Sequence, residues 1–403
     1  MQPALLIRLR PTGPWRFGPG DGGEDRSDTL YRSDRVFSAA TLAMRQLGLL
    51  EEWLEATARA AAPEVVFSSL FPYQGDTLFA PPPATMWPPD ASLLVAPSPV
   101  FLSKIRWSAA HFVPLAMIES ILTAQPILAD QWIPDPDSGC LLRRDRPSAS
   151  PFRTTLRTGA AIDRISAAAA QPHSFACVEF EPAAGLWCVA RFADAAVEGW
   201  WSERVKACFR VLADTGFGGR RTVGWGKSEE PRFQSGGWPN LLFPKIARIP
   251  KNGDWSLENG DGPPLYWLLS LYLPAAADAI DWTGGDYRLM VRGGRVESPR
   301  ATGEKKKAVS MVTEGSVLAT RAEPVGAAID VAPDGFAHPV YRAGFAIALQ
   351  LPYIRIEDVK PVEVATDVEA PEARPCPEPE PVPLVEIPVA SAEEKQEEPA
   401  HEI

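Results

Sequence analysis

The sequence predicts an α+β protein whose first half runs strand, helix, two hairpin strands, helix, strand. Three observations carry that prediction. Leu5-Leu6-Ile7-Arg8-Leu9-Arg10 places Leu5, Ile7 and Leu9 on one face at strand period. Val36, Ala39, Ala40, Ala43 and Leu47 recur at helical spacing behind a polar loop. A longer amphipathic segment, Val197, Trp201, Val205, Cys208, Phe209 and Leu212, ends in a glycine-rich loop.

Taken in order, the first strand ends at Pro11-Thr12-Gly13-Pro14, and a polar loop follows to Arg32. Ser33 or Asp34 is suited to cap a helix from about 34 to 47, because a short side-chain oxygen can take the unpaired amides of the first turn. A second helix is expected over 51–62. Residues 63–160 are proline-punctuated, at 72, 81–83, 88, 89, 97 and 99, and read as a loop-rich insertion with small helices. Phe175–Glu181 and Leu186–Phe192 read as strands joined by the turn Pro182-Ala183-Ala184-Gly185. A helix over about 194–213, the loop at 213–227 and a strand at Pro231-Arg232-Phe233 complete the set. Residues 1–233 thus follow the ferredoxin-like βαββαβ pattern that RNA-recognition modules also use. A second, predominantly β set begins near Leu265 and ends in the alternating run Tyr341–Leu351.

Composition narrows the function. The 403-residue chain is 45% hydrophobic, enough for a sizeable core, and has no run of eighteen apolar residues to span a membrane. Five scattered cysteines without a C-x-x-C pair fit a reducing cytoplasm better than disulfides or a zinc knuckle, and the N-terminus lacks signal-peptide order. The net charge of −11 is local. Residues 357–403 hold 14 of the 51 acids, 3 of the 40 basic side chains and nine prolines, which leaves a neutral body of 37 against 37. A segment of that composition is expected to be a disordered acidic tail. The neutral body can still bind a polyanion through a basic patch.

The glycine-rich loop is the strongest candidate for such a patch. Gly216, Phe217, Gly218, Gly219, Arg220, Arg221, Gly224, Trp225, Gly226 and Lys227 combine backbone freedom, fixed positive charge and aromatic faces. Nucleotide binding is disfavoured, since Arg221 stands where a P-loop needs glycine and the loop leaves a helix to enter a strand. A tight connection with solvated arginines is the plain alternative. Five glycines exceed what one turn requires, which favours close backbone approach to an extended ligand. Arg157 and Arg164 flank the strand-like run Thr158–Ile162 and would extend a phosphate track. Catalytic candidates are poor: His111, His173 and His338 sit beside no nucleophile motif, and Asp21, Glu24, Asp25 and Asp28 lack metal-ligand alternation. Neither a metal nor a cofactor is expected.

Gly216–Lys227 resembles the glycine-rich loop of RAMP proteins, the RNA-binding subunits of CRISPR systems. Ser33-Asp34-Arg35-Val36-Phe37-Ser38-Ala39-Ala40 and Ala161-Ile162-Asp163-Arg164 are similar to elements of the Csm subgroup. Met311–Val317 and His338–Phe345 resemble its C-terminal domain. The resemblance runs in order from about 4 to 352 and excludes the insertion and the tail. It implies two ferredoxin-like (RRM-like) RAMP domains, 1–233 and 262–356, in the type III-A subunit that caps the crRNA 5′ end. It further implies partners: the repeat-derived 5′ tag of the crRNA, the large polymerase-domain subunit and the backbone RAMP subunits. It implies no catalytic residues. The alternatives are a RAMP endoribonuclease using His111 or His173, and a purely structural assembly subunit.

Overall fold

The first strand, Gln2–Leu9, lies between two others: Ala184–Phe192 on one side and Arg232–Trp238 on the other, both antiparallel. The computed structural model describes residues 1–18, 26–95, 106–145, 149–162, 165, 169–246, 263–297 and 302–352. Its largest sheet has seven strands, in the order Arg232–Trp238, Gln2–Leu9, Ala184–Phe192, Phe71–Gln74, Thr77–Ala80, Val113–Pro114. Val65–Phe67 also pairs with Ala184–Phe192. Numbering the βαββαβ strands by sequence, the central four run 4-1-3-2, with 65–74 as the second strand.

That second strand corrects the expected insertion over 63–160. Residues 65–80 are sheet, and the helix Leu115–Leu122 follows the edge strand Val113–Pro114. The prolines hid it. Pro72 opposes Leu186, while the neighbouring strand pairs only at Tyr73 and Gln74, so the amide that Pro72 lacks is not required on that side. The expected hairpin is corrected as well. Ala184 does close a turn onto Glu181, but the strands on either side part company. Ala169–Phe180 pairs instead with Phe152–Ile162, in a two-stranded arm registered from Phe152 opposite Phe180. Ala184–Phe192 is buried at every residue and enters the main sheet.

Two helices, Ser33–Gln46 and Ala195–Thr215, pack on the sheet and on each other. The longer is capped by Asp194, whose side chain accepts from the Val197 amide at 2.9 Å. Its stripe of Trp201, Val205, Cys208, Phe209 and Leu212 is buried. Trp201 meets Trp53 edge-on at 5.5 Å, and Phe209 meets Phe67 at 5.7 Å. Trp53 belongs to the short helix Leu50–Ala56, which ends earlier than expected.

Residues 263–352 are strands without a helix among the described residues. A four-stranded sheet runs Ile280–Asp286, Val317–Thr320, Leu265–Leu268, Ala348–Gln350. Leu289–Arg292 pairs with Val309–Val312, and Gly326–Asp330 with Tyr341–Phe345. The ferredoxin-like pattern expected over 262–356 calls for two helices, and none stands among the described residues. The expected tail lies outside the described residues. Residues 1–362 form one compact unit, and one apolar core includes Phe37 and Trp187 together with Trp267, Phe345 and Ile347.

Ser33 and Asp34 were the expected helix cap, and the structure assigns them differently. The cap position is Arg32, which makes no side-chain cap bond. The Ser33 amide donates to Ser69 Oγ at 2.8 Å, and Ser33 Oγ accepts from the Leu271 amide at 2.9 Å. Asp34 takes Arg292 on both oxygens, at 3.0 and 3.1 Å, and Arg342 Nη1 at 2.6 Å. The side chains of this trio are 3%, 3% and 6% exposed, so the ions are dry as well as paired. Beside them Arg32 bridges Asp28 and Glu314, and Ser69 donates to Glu314. Burial pushes the Asp34 carboxyl up, but the charges of Arg292 and Arg342 outweigh it and hold the group below the usual carboxylate range.

Removing one member of a buried ion group strands the others. Asp34→Asn should therefore cost about 3–5 kcal/mol in urea denaturation of the full chain. A loss under about 1 kcal/mol would contradict the bonding described. The folded-state value of Asp34 lies below the ordinary 3.8, so its stabilisation is complete above that pH and is lost on further acidification. The gap in stability between wild type and Asp34→Asn should close as the pH falls below that value.

Candidate nucleic-acid interface

The glycine-rich loop is built by the chain's own backbone. The helix ends at Thr215, Gly216 turns out at φ 89°, and the Gly216 amide still reaches the Leu212 carbonyl. The loop then folds against a strap, residues 11–18, at its other side. Gly219 donates to Arg16, Gly226 donates to Pro14, and Thr12 donates to the Lys227 carbonyl. The strap also holds the arm, since Trp15 and Val178 exchange backbone bonds of 2.9 and 2.7 Å.

Three glycines are required by this folding. A Cβ on Gly216 would lie 2.6 Å from the Trp225 carbonyl oxygen, on Gly218 2.3 Å from that of Arg16, and on Gly226 2.0 Å from that of Phe217. The close approach expected toward a ligand is thus an approach of the chain to itself. Loop amides expected to meet phosphate are likewise occupied: those of Gly216, Phe217, Gly219, Val223, Gly224, Trp225 and Gly226 donate to the protein's own carbonyls. Gly224 differs, with open space around it.

Phe217, expected as a base-stacking face, is instead core. It is 1% exposed, stacked on Trp15 at 5.1 Å and edge-on to Tyr31 at 5.7 Å. Its apolar ring fills the space that the loop's turn encloses, which a sequence cannot distinguish from an outward ring. Trp225 is half-buried and remains near the surface. The Arg220 guanidinium lies 3.6 Å over the Phe175 ring and 5.5 Å from the Trp225 ring, and its Nε is buried without a hydrogen-bond partner. Lys227 is exposed, and Arg221 is half-buried. Arg221 also lies close enough to Tyr31 to act on its hydroxyl, which burial pushes up to about 12.

Arg157 lies on the arm and is committed to Glu179, at 2.6 and 3.0 Å. Arg153 shares the same acid at 3.7 Å. Arg164, with Asp163, lies outside the described residues. Of the weak catalytic candidates, His111 is exposed and donates its amide to Gly139, while His173 sits edge-on to Phe175 at 4.9 Å on the arm. Asp28 is paired with Arg32, and Asp21, Glu24 and Asp25 lie outside the described residues. Among the described residues no helix is long and apolar enough to cross a membrane.

Sequence reading missed three contributors. Phe175 supplies the platform under Arg220, Arg16 backs Gly218 and Gly219, and Tyr31 receives the Gly218 amide. Only the aromatic–basic–aromatic run Trp15-Arg16-Phe17 hinted at any of them. The outcome is a surface carrying Arg220, Arg221, Trp225 and Lys227 on a loop most of whose amides bond within the protein. It can offer guanidinium and aromatic faces to a chain of phosphates and bases.

Comparison with known proteins bears on the chain as a whole rather than on the loop. Residues 262–351 match the family model of the CRISPR Csm4 C-terminal domain. Across 352 residues the chain is 23% identical to the CRISPR system Cms protein Csm4 of Thermococcus onnurineus (strain NA1), covering 86% of this chain and 97% of that protein. A chain of the Csm3-Csm4 subcomplex in the type III-A CRISPR-Cas interference complex superposes with a TM-score of 0.54 at 13% identity, covering 87% of this chain and all of that one. A chain of the Csm1-Csm4 cassette in complex with cA4 gives 0.50 at 17%, covering 88% and 99%. What the chain resembles is the Csm class of CRISPR proteins. Within that class it is Csm4-like.

The loop's construction separates two kinds of glycine. Gly226→Ala should cost well over about 2 kcal/mol, from a left-handed backbone added to a collision with Phe217. Gly224→Ala, at φ 86° in open space, should cost only about 1–2 kcal/mol. Thermal melts of the two variants in parallel check the order; equal losses would refute the packing described.

Proposed function

We propose that this chain is the non-catalytic, guide-RNA-binding subunit of a type III-A CRISPR effector. It holds the repeat-derived 5′ tag of the crRNA along the glycine loop and docks the large polymerase-domain subunit and the backbone RAMP subunits. The observation that carries the proposal is the set of half-buried Arg220, Arg221 and Trp225 beside exposed Lys227, backed by Phe175. Side chains, rather than loop amides, make the contacts: the guanidiniums and Lys227 take phosphates, and Trp225 offers the stacking face. The protein partners rest on similarity. Structures of related folds contain Csm1 with Csm4 and Csm3 with Csm4. A cytoplasmic site of action and the absence of catalysis are parts of the same proposal.

Binding of repeat-derived single-stranded RNA should weaken in the double variant Arg220→Ala with Arg221→Ala. Its dependence on log salt should flatten by about 1.4, since each phosphate contact on a single strand contributes about 0.7. An unchanged affinity and slope would remove the loop from the RNA path. Prolonged incubation of wild type with repeat RNA should leave the RNA intact; cleavage that His111→Ala abolishes would favour an endoribonuclease.

A further inference from the structure

Arg35 follows Asp34 in the first turn of its helix but shares none of its neighbour's bonding. Both Asp34 oxygens are taken by Arg292 and Arg342, and Asp28 and Glu314 are taken by Arg32. The one hydrogen bond of the Arg35 guanidinium runs from Nη2 to the Gly18 carbonyl. Its Nη1 is buried and has no partner, and among the described residues no carboxylate pairs with it. Burial lowers its pKa and the nearby Arg292 charge lowers it further, against the opposing pull of Asp34 and Asp28.

Arg35 and Arg221 both act electrostatically on Tyr31, whose hydroxyl is bonded by the Gly218 amide. Arg35 therefore sits at the inner border of the glycine loop. The first turn of its helix adds the positive end of a dipole.

We propose that Arg35 is a reserve phosphate ligand, parked on the Gly18 carbonyl in the RNA-free protein and turned outward to join Arg221 on an RNA phosphodiester. This rests on the guide-RNA reading of the loop and adds a residue to it. An arginine fork with one idle donor, held by a carbonyl and bonded to no carboxylate among the described residues, gains a charge-assisted pair on meeting a phosphate. Its buried, idle donor makes it a burden on the free protein.

The test uses the full chain and a single-stranded RNA carrying repeat-derived sequence at its 5′ end. Arg35→Met should weaken binding about tenfold and flatten the salt slope by about 0.7, while the RNA-free melting temperature stays level or rises. Arg35→Lys should keep the slope and lose several-fold in affinity, because an ammonium cannot reproduce the fork. Unchanged affinity and slope in Arg35→Met, with wild type binding normally, would overturn the inference and leave the loop's role standing. A lowered melting temperature in the RNA-free variant would also overturn it, making Arg35 structural. Failure of wild type to bind RNA would instead bring down the functional reading itself.

Discussion

The Asp34 carboxylate, fixed by Arg292 and Arg342, is the constraint on which the rest of the molecule depends. It joins the start of the first helix to two strands more than 250 residues further along, through side chains that are almost fully buried. A buried ion group of this kind gives little net stability over an apolar substitute, yet it tolerates few alternative geometries. Around it Ser33, Ser69 and Glu314 repeat the theme, tying helix, sheet and C-terminal strands by groups whose donors and acceptors are matched. Arg191 adds a further tie from the central strand, to Glu323 and to the Ala346 carbonyl at 3.2 Å.

This network gives a physical reason for the motifs. Ser33-Asp34, Glu314 within Met311–Val317 and Arg342 within His338–Phe345 looked like separate signatures in the sequence. In three dimensions they are one cluster. Those three signatures are therefore about holding the two halves in register, while the glycine loop brings basic side chains to the surface.

What could be read from the sequence follows the range of the physics involved. Local periodicity placed the first strand, both long helices and the loop within a few residues, because those patterns are set by near neighbours. Pairings that depend on distant partners were invisible. Nothing near Phe71–Gln74 announces that it will lie beside Leu186, and the turn after Glu181 disguised strands that diverge. The loop's charges were legible, but its inside and outside were not. Phe217 and Trp225 are both aromatics flanked by glycines, and only the packing of Trp15 decides that the first turns inward. Ser33 and Asp34 had the composition of a helix cap, and long-range partners outcompeted the local role.

The strap at residues 11–18 has a mechanical consequence. Trp15 is bonded through its backbone to the arm, through its indole nitrogen to the Lys227 carbonyl at 3.1 Å, and through its ring to Phe217. Arm and loop are thus geared through the Trp15 indole, beside the direct contact of Arg220 on Phe175. A displacement at one is transmitted to the other, so whatever seats itself along the arm also sets the grip of the loop. Evolution cannot retune either one without retuning both.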